Sequence, residues 1–135
     1  MMALYIKLYL LTIPVFFAID LIWLGVIAKD LYRKHIGHLM ADKVKWGPAL
    51  AFYLMYIAGI LYFVVVPALN ENSWQNALFD GAALGFLTYA TYDFTNWATL
   101  KKWPAIVVIL DVLWGTFLVG TVSVAAYFIG ICLQG

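Results

Sequence analysis

Charge and soft metal ligands are both scarce in this chain: only 11% of its 135 residues are charged, and it holds one cysteine and two histidines. A lone thiol excludes an intramolecular disulfide, and without a Cys-x-x-Cys pair there is no thiol redox or zinc motif. Cys132 therefore reads as a small apolar residue near a helix end. Net charge is +1, which gives no footing for nucleic acid or a polybasic membrane tether. No nucleophile motif or cofactor fingerprint is present either, so neither a metal nor a cofactor is expected.

What the chain has in abundance is apolar surface, at 66% of residues, too much for a soluble fold. A bilayer core is about 30 Å thick and takes ~20 apolar residues of helix to cross. Four segments meet that length: about 4–28, 48–66, 74–98 and 104–131. Pro14 interrupts the first. Trp46-Gly47-Pro48 opens the second, which is expected to end at Val66, before Pro67. Asn70-Glu71-Asn72-Ser73 offers caps for a third starting near Trp74, and Trp103-Pro104 precedes the fourth. Strand alternation is missing, and an open sheet leaves edges unsatisfied in lipid. The expected fold is all-α: a single integral membrane domain over 1–135, a four-transmembrane-helix bundle. The first apolar run holds Asp20 and lacks a small-x-small cleavage site, so it reads as a mature helix and not a leader. Trp46, Trp74, Trp97 and Trp103 fall near helix ends, where an indole sits half wet.

Seven of the eight basic residues lie in the loops between helices one and two and between three and four; only Lys7 lies opposite. The positive-inside rule puts those loops in the cytoplasm and both termini outside, in a multi-pass chain.

Three acids fall inside the helices: Asp20, Asp93 and Asp111. Counted from Lys29, Lys101 and Lys102 at 1.5 Å per residue, all three lie roughly 12 to 14 Å from the basic loops, in one layer near mid-membrane. A charged aspartate there costs at least ~2.5 kcal/mol, so three at one level need partners, water or protonation. Asp20-x-x-Trp23 and Asp111-x-x-Trp114 share a pattern that sets each indole N–H on the flank of its own acid. Because the first and fourth helices run antiparallel, a two-fold axis in the membrane plane would relate the two motifs.

The third helix is the most polar. At 100° per residue Ala82, Phe86, Tyr89, Asp93, Asn96 and Trp97 share one face, expected to line a site. Gly81, Gly85, Thr88, Thr91, Thr95 and Thr99 read as a stripe for close helix packing. Tyr53, Tyr56 and Tyr62 on helix two read as core or belt residues. His35 and His38 stand three apart beside Asp42, yet Gly37 weakens the helix between them and no third strong ligand is fixed. Their loop reads as an amphipathic connector whose Arg33 and Lys34 meet anionic lipid headgroups.

Tyr5, Asp20, Trp23, Gly25 and Tyr32, then Thr88-Tyr89-Ala90-Thr91-Tyr92-Asp93-Phe94-Thr95-Asn96 and Asp111-x-x-Trp114-Gly115-Thr116, together resemble a bacterial family of small predicted membrane proteins, a domain of unknown function. The likeness covers nearly the whole chain and implies a four-helix fold in the bacterial inner membrane, with no activity attached.

The acid layer is the expected site. Asp20, Asp93 and Asp111 would carry a proton, cation or small solute, with Trp23, Trp114, Tyr89 and Asn96 setting the geometry, as in a small transporter or permease-like protein. Four helices enclose little volume, so a homo-oligomer is expected, with membrane lipids as further partners. The alternatives are a membrane-embedded enzyme acting on a lipid or isoprenoid tail and a non-catalytic scaffold subunit.

Overall fold

The computed structural model describes residues 2–135 and, among them, contains helices and no strand. α1 spans Met2–Ile22 and continues through a wider π turn, Trp23–Ile27, into the short α2 at Lys29–Ile36 and a 3₁₀ turn at Gly37–Leu39. α3 (Trp46–Ile60), a π turn at Leu61–Val65 and α4 (Val66–Asn70) form one continuous rod. α5 covers Trp74–Thr99 and α6 Ala105–Gln134.

Local chemistry explains these limits. Ser73 caps α5 by accepting the Asn76 backbone N–H at 3.1 Å, and Pro104 stands immediately before α6. The second rod does not stop at Val66. A proline inside a helix clashes with the carbonyl four residues back, here Phe63, and the π turn widens the backbone at that point, so the helix runs through Pro67 to Asn70. α1 likewise stays helical across Pro14, and its departure from α geometry comes at Trp23–Ile27.

Three rods are long and apolar enough to cross a membrane: Met2–Ile27, Trp46–Asn70 and Ala105–Gln134. α5 matches them in length, but its Thr88–Asn96 stretch is too polar to join them by composition. α6 is the central helix: 50% of its most apolar stretch is buried, against 17% for the first rod and 28% for the second. The outer rods turn Leu10, Met55 and Phe63 outward, as apolar solvent requires. Leu8, Phe16, Ile57, Ile60, Leu118 and Val122 close the core where α1 and α3 meet α6.

α5 lies against α6 through glycine. A Cβ on Gly85 would strike the Gly115 carbonyl and sit 2.9 Å from Val119 Cβ; one on Gly81 would sit 2.7 Å from Ser123 Cβ; one on Gly115 would strike the Tyr89 ring. Two backbones therefore approach as only small residues permit. The threonine half of the expected packing stripe is not part of this contact. Thr91, Thr95 and Thr99 are exposed, and each donates its hydroxyl to the carbonyl four residues back in its own helix, at 2.6, 2.5 and 2.7 Å. Thr88 differs: its hydroxyl bonds the Leu84 carbonyl of its own helix and also the Tyr56 hydroxyl of α3. The buried line on α5 is instead Ala77, Gly81, Gly85 and Asp93, while Phe86 and Trp97 point outward.

Candidate functional site

The three helical acids are buried at one end of the bundle: Asp20 is 4% exposed, Asp93 0% and Asp111 8%. Each lies within seven residues of the end of its rod, on the side where the basic connectors run. The layer is therefore not half-way along the helices. It is close enough to the connector for a side chain of α2 to reach it.

That side chain is Tyr32, which donates its hydroxyl to Asp111 Oδ1 and accepts the Trp23 Nε1 hydrogen at 3.0 Å. Burial, followed by the adjacent Asp111 carboxyl, pushes the Tyr32 pKa above its usual value, so the phenol remains a donor. Across the site, Trp114 Nε1 donates to Asp20 Oδ1 at 3.2 Å. Each indole thus serves the acid of the other motif, Trp114 directly and Trp23 through Tyr32, and not the acid one turn away in its own helix. The exchange draws the two indoles face to face, with ring centroids 4.5 Å apart and planes 6° from parallel. Stacking of this kind is worth roughly 0.5 to 1.5 kcal/mol beyond the area it buries.

Asp93 enters from α5 and faces the Asp111 carboxyl and the Trp103 indole. Both of its oxygens and Trp103 Nε1 lack a partner in hydrogen-bonding geometry. A buried carboxyl without a donor is costly, which makes Asp93 the least satisfied group of the layer. Trp103 is itself 7% exposed and packs on Val107, Val108 and Val112. It is a wall of the acid layer and not a half-wet belt residue.

Two cavities adjoin the acids. One of about 310 Å³ includes Asp20, Trp23, Tyr32, Trp103, Asp111 and Trp114 in its lining. The other, about 530 Å³, lies between α3 and α5, walled by Phe52, Tyr53 and Tyr56 on one side and Thr88, Tyr89 and Tyr92 on the other, with Asp111 also in the lining. Tyr53, Tyr89, Tyr92 and Asp111 border both, so the two adjoin and share a wall. A bond of 2.7 Å between the Tyr56 and Thr88 hydroxyls ties α3 to α5. Phe52 and Tyr92, nearer the basic end, are 54% and 56% exposed, so the larger cavity opens sideways between the two helices.

Of the residues singled out from sequence, Asp20, Asp111, Trp23, Trp114 and Tyr89 line one or both of these cavities. Asp93 stands behind Asp111, and Asn96 lies one turn on, beside Tyr92, outside both linings. Tyr32, Tyr53, Tyr56, Tyr92 and Trp103 complete the site and were not marked from sequence as part of it. Tyr53 and Tyr56 stand three apart on the helix that has no acid, which was their one detectable signal.

No curated protein and no solved structure matches the chain. A family model described as "Predicted membrane protein (DUF2177)" matches residues 5–128. With nearly the whole length matched, the acid layer and its tryptophans included, the chain belongs to this family of predicted membrane proteins, DUF2177.

Proposed function

We propose that the chain crosses a bacterial cytoplasmic membrane four times, with both termini outside, and that Asp20, Asp93 and Asp111 form the proton- or cation-binding site of a small transporter or permease-like protein. The observation that carries the reading is the placement of Asp20 and Asp111, from different helices, in the wall of one cavity that no lysine, arginine or histidine lines. Buried acids are ordinarily paired with a base or bound to a cation. Here the space beside them is open. α5 suits a fourth crossing despite its composition, because its threonines satisfy their own hydroxyls and Asp93 faces inward. Membrane lipids cover the outward apolar faces, and a second copy of the chain would enlarge the enclosed volume.

Reconstitution into vesicles loaded with a pH-sensitive dye tests this. The wild-type protein should move protons across an imposed gradient faster than protein-free vesicles do, and Asp111→Asn should abolish the difference. Wild-type vesicles indistinguishable from protein-free ones, with and without added small cations, would rule the transport reading out.

The sideways opening of the larger cavity favours a second reading, an enzyme acting on a lipid or isoprenoid tail that enters between α3 and α5. Asp93 and Asp111 sit in unequal surroundings, one without a donor and one bound by Tyr32, as a division of acid and base roles requires. A lipid species that accumulates in a deletion strain and disappears on incubation with the purified protein would select this reading over transport.

A further inference from the structure

The walls of the two adjoining cavities specify a chemistry. Five aromatic side chains of α3 and α5, Phe52, Tyr53, Tyr56, Tyr89 and Tyr92, face a space whose acidic boundary is Asp111, with Asp20 beyond it. Aromatic faces carry negative electrostatic potential and attract cations, most strongly where water is excluded. Carboxyls add charge of the same sign, and no base among the lining residues opposes them. A metal ion is poorly served, because the oxygens are few and most of the wall is carbon. An anion is excluded by sign. A neutral hydrocarbon would use the rings and leave the acids without a counter-charge.

We propose that the adjoining cavities bind an organic ammonium group, its charge toward Asp111 and Asp20 and its carbon substituents against the rings of Tyr53, Tyr56, Tyr89 and Tyr92. The inference rests on the carboxylate-site reading above and names its ligand class. Phe52 and Tyr92 in the lining are exposed between α3 and α5, so the remainder of the ligand would project there, and the ammonium can belong to a free solute or to a lipid headgroup.

The test uses the full chain in a maltoside detergent, with choline as the probe and 3,3-dimethylbutan-1-ol, which has carbon in place of the charged nitrogen, as its neutral counterpart. Titration calorimetry should show saturable choline binding and none for the alcohol. Asp111→Asn should weaken choline binding by about tenfold or more. Tyr56→Phe, which keeps a ring, should retain binding, whereas Tyr56→Leu should lose much of it; this pair guards against an Asp111 variant that fails to fold. Nanodiscs of phosphatidylcholine that compete with choline, when phosphatidylglycerol discs do not, would assign the ammonium to a lipid headgroup, and equal binding in both would assign it to a free solute. Equal binding of choline and the alcohol, or no choline binding by a folded protein, overturns the proposal. If Asp111-dependent proton movement persists in vesicles at the same time, the carboxylate site stands and only its ligand class is wrong. Absence of both removes the two readings together.

Discussion

Replacing Gly85 by alanine adds one methyl group where α5 and α6 are closest. The new Cβ would strike the Gly115 carbonyl and lie 2.9 Å from Val119 Cβ. Neither neighbour is the far end of a flexible side chain, so the helices must part. Forcing a methyl into a packed contact costs about 1 to 3 kcal/mol, and backbone obstruction puts this site at the upper end. For a chain of this size that lowers the melting temperature by roughly 10 °C. Gly59 provides the control: it lies inside α3 and a Cβ there meets nothing within 4 Å. The same change at Gly59 should stabilise the chain by about 0.5 to 1 kcal/mol, because alanine has less backbone freedom to lose than glycine. Thermal melts in detergent followed by circular dichroism compare the two variants directly. Gly85→Ala melting at or above wild type, alongside Gly59→Ala, would refute the close approach of α5 and α6.

Trp114→Phe removes the donor to Asp20 while keeping a ring for the stack, and should cost about 1 to 2 kcal/mol; the same change in an Asp20→Asn background should cost less, which a double-mutant melt resolves. Tyr32→Phe cuts the link from α2 to Asp111, so tryptic cleavage at Lys29, Arg33 and Lys34 should quicken while the helical signal is unchanged. Asp93→Asn should leave the fold intact and remove vesicle proton movement, whereas Thr95→Ala should leave both within error, its stability within about 0.5 kcal/mol of wild type.

The acid layer was legible because depth along a helix follows from counting residues, and Asp20, Asp93 and Asp111 count alike from the basic loops. Partnership across helices is a different kind of information. The Asp-x-x-Trp spacing sets each indole beside its own acid, and only the docking of α1 on α6 exchanges them. Tyr32 was beyond such counting because its role depends on α2 folding back against the bundle end. Thr88 does bond across to α3, but Thr91, Thr95 and Thr99 misled for a chemical reason: a periodic stripe of hydroxyls is identical whether the groups bond a neighbouring helix or their own backbone. Pro67 misled in the same way, since a π turn upstream removes the clash that normally ends a helix. Gly81-x-x-x-Gly85 was read correctly, because absence of a side chain has one structural meaning where two helices touch. Tyr53 and Tyr56 show the limit of composition, as wall and core residues are the same amino acids in different places.

The central claim is that Asp20 and Asp111 are buried acids in cavity walls, with Asp111 bordering the cavity between α3 and α5. Labelling with dicyclohexylcarbodiimide, a lipophilic reagent that couples to carboxyls in apolar surroundings, tests it directly when the labelled peptides of the reconstituted protein are mapped by mass spectrometry. The account predicts adducts on Asp111 or Asp20 with the lipophilic reagent, and labelling confined to the exposed Asp30, Asp42, Glu71 and Asp80 with a water-soluble carbodiimide. Adducts on the exposed acids alone, whichever reagent is used, would contradict it.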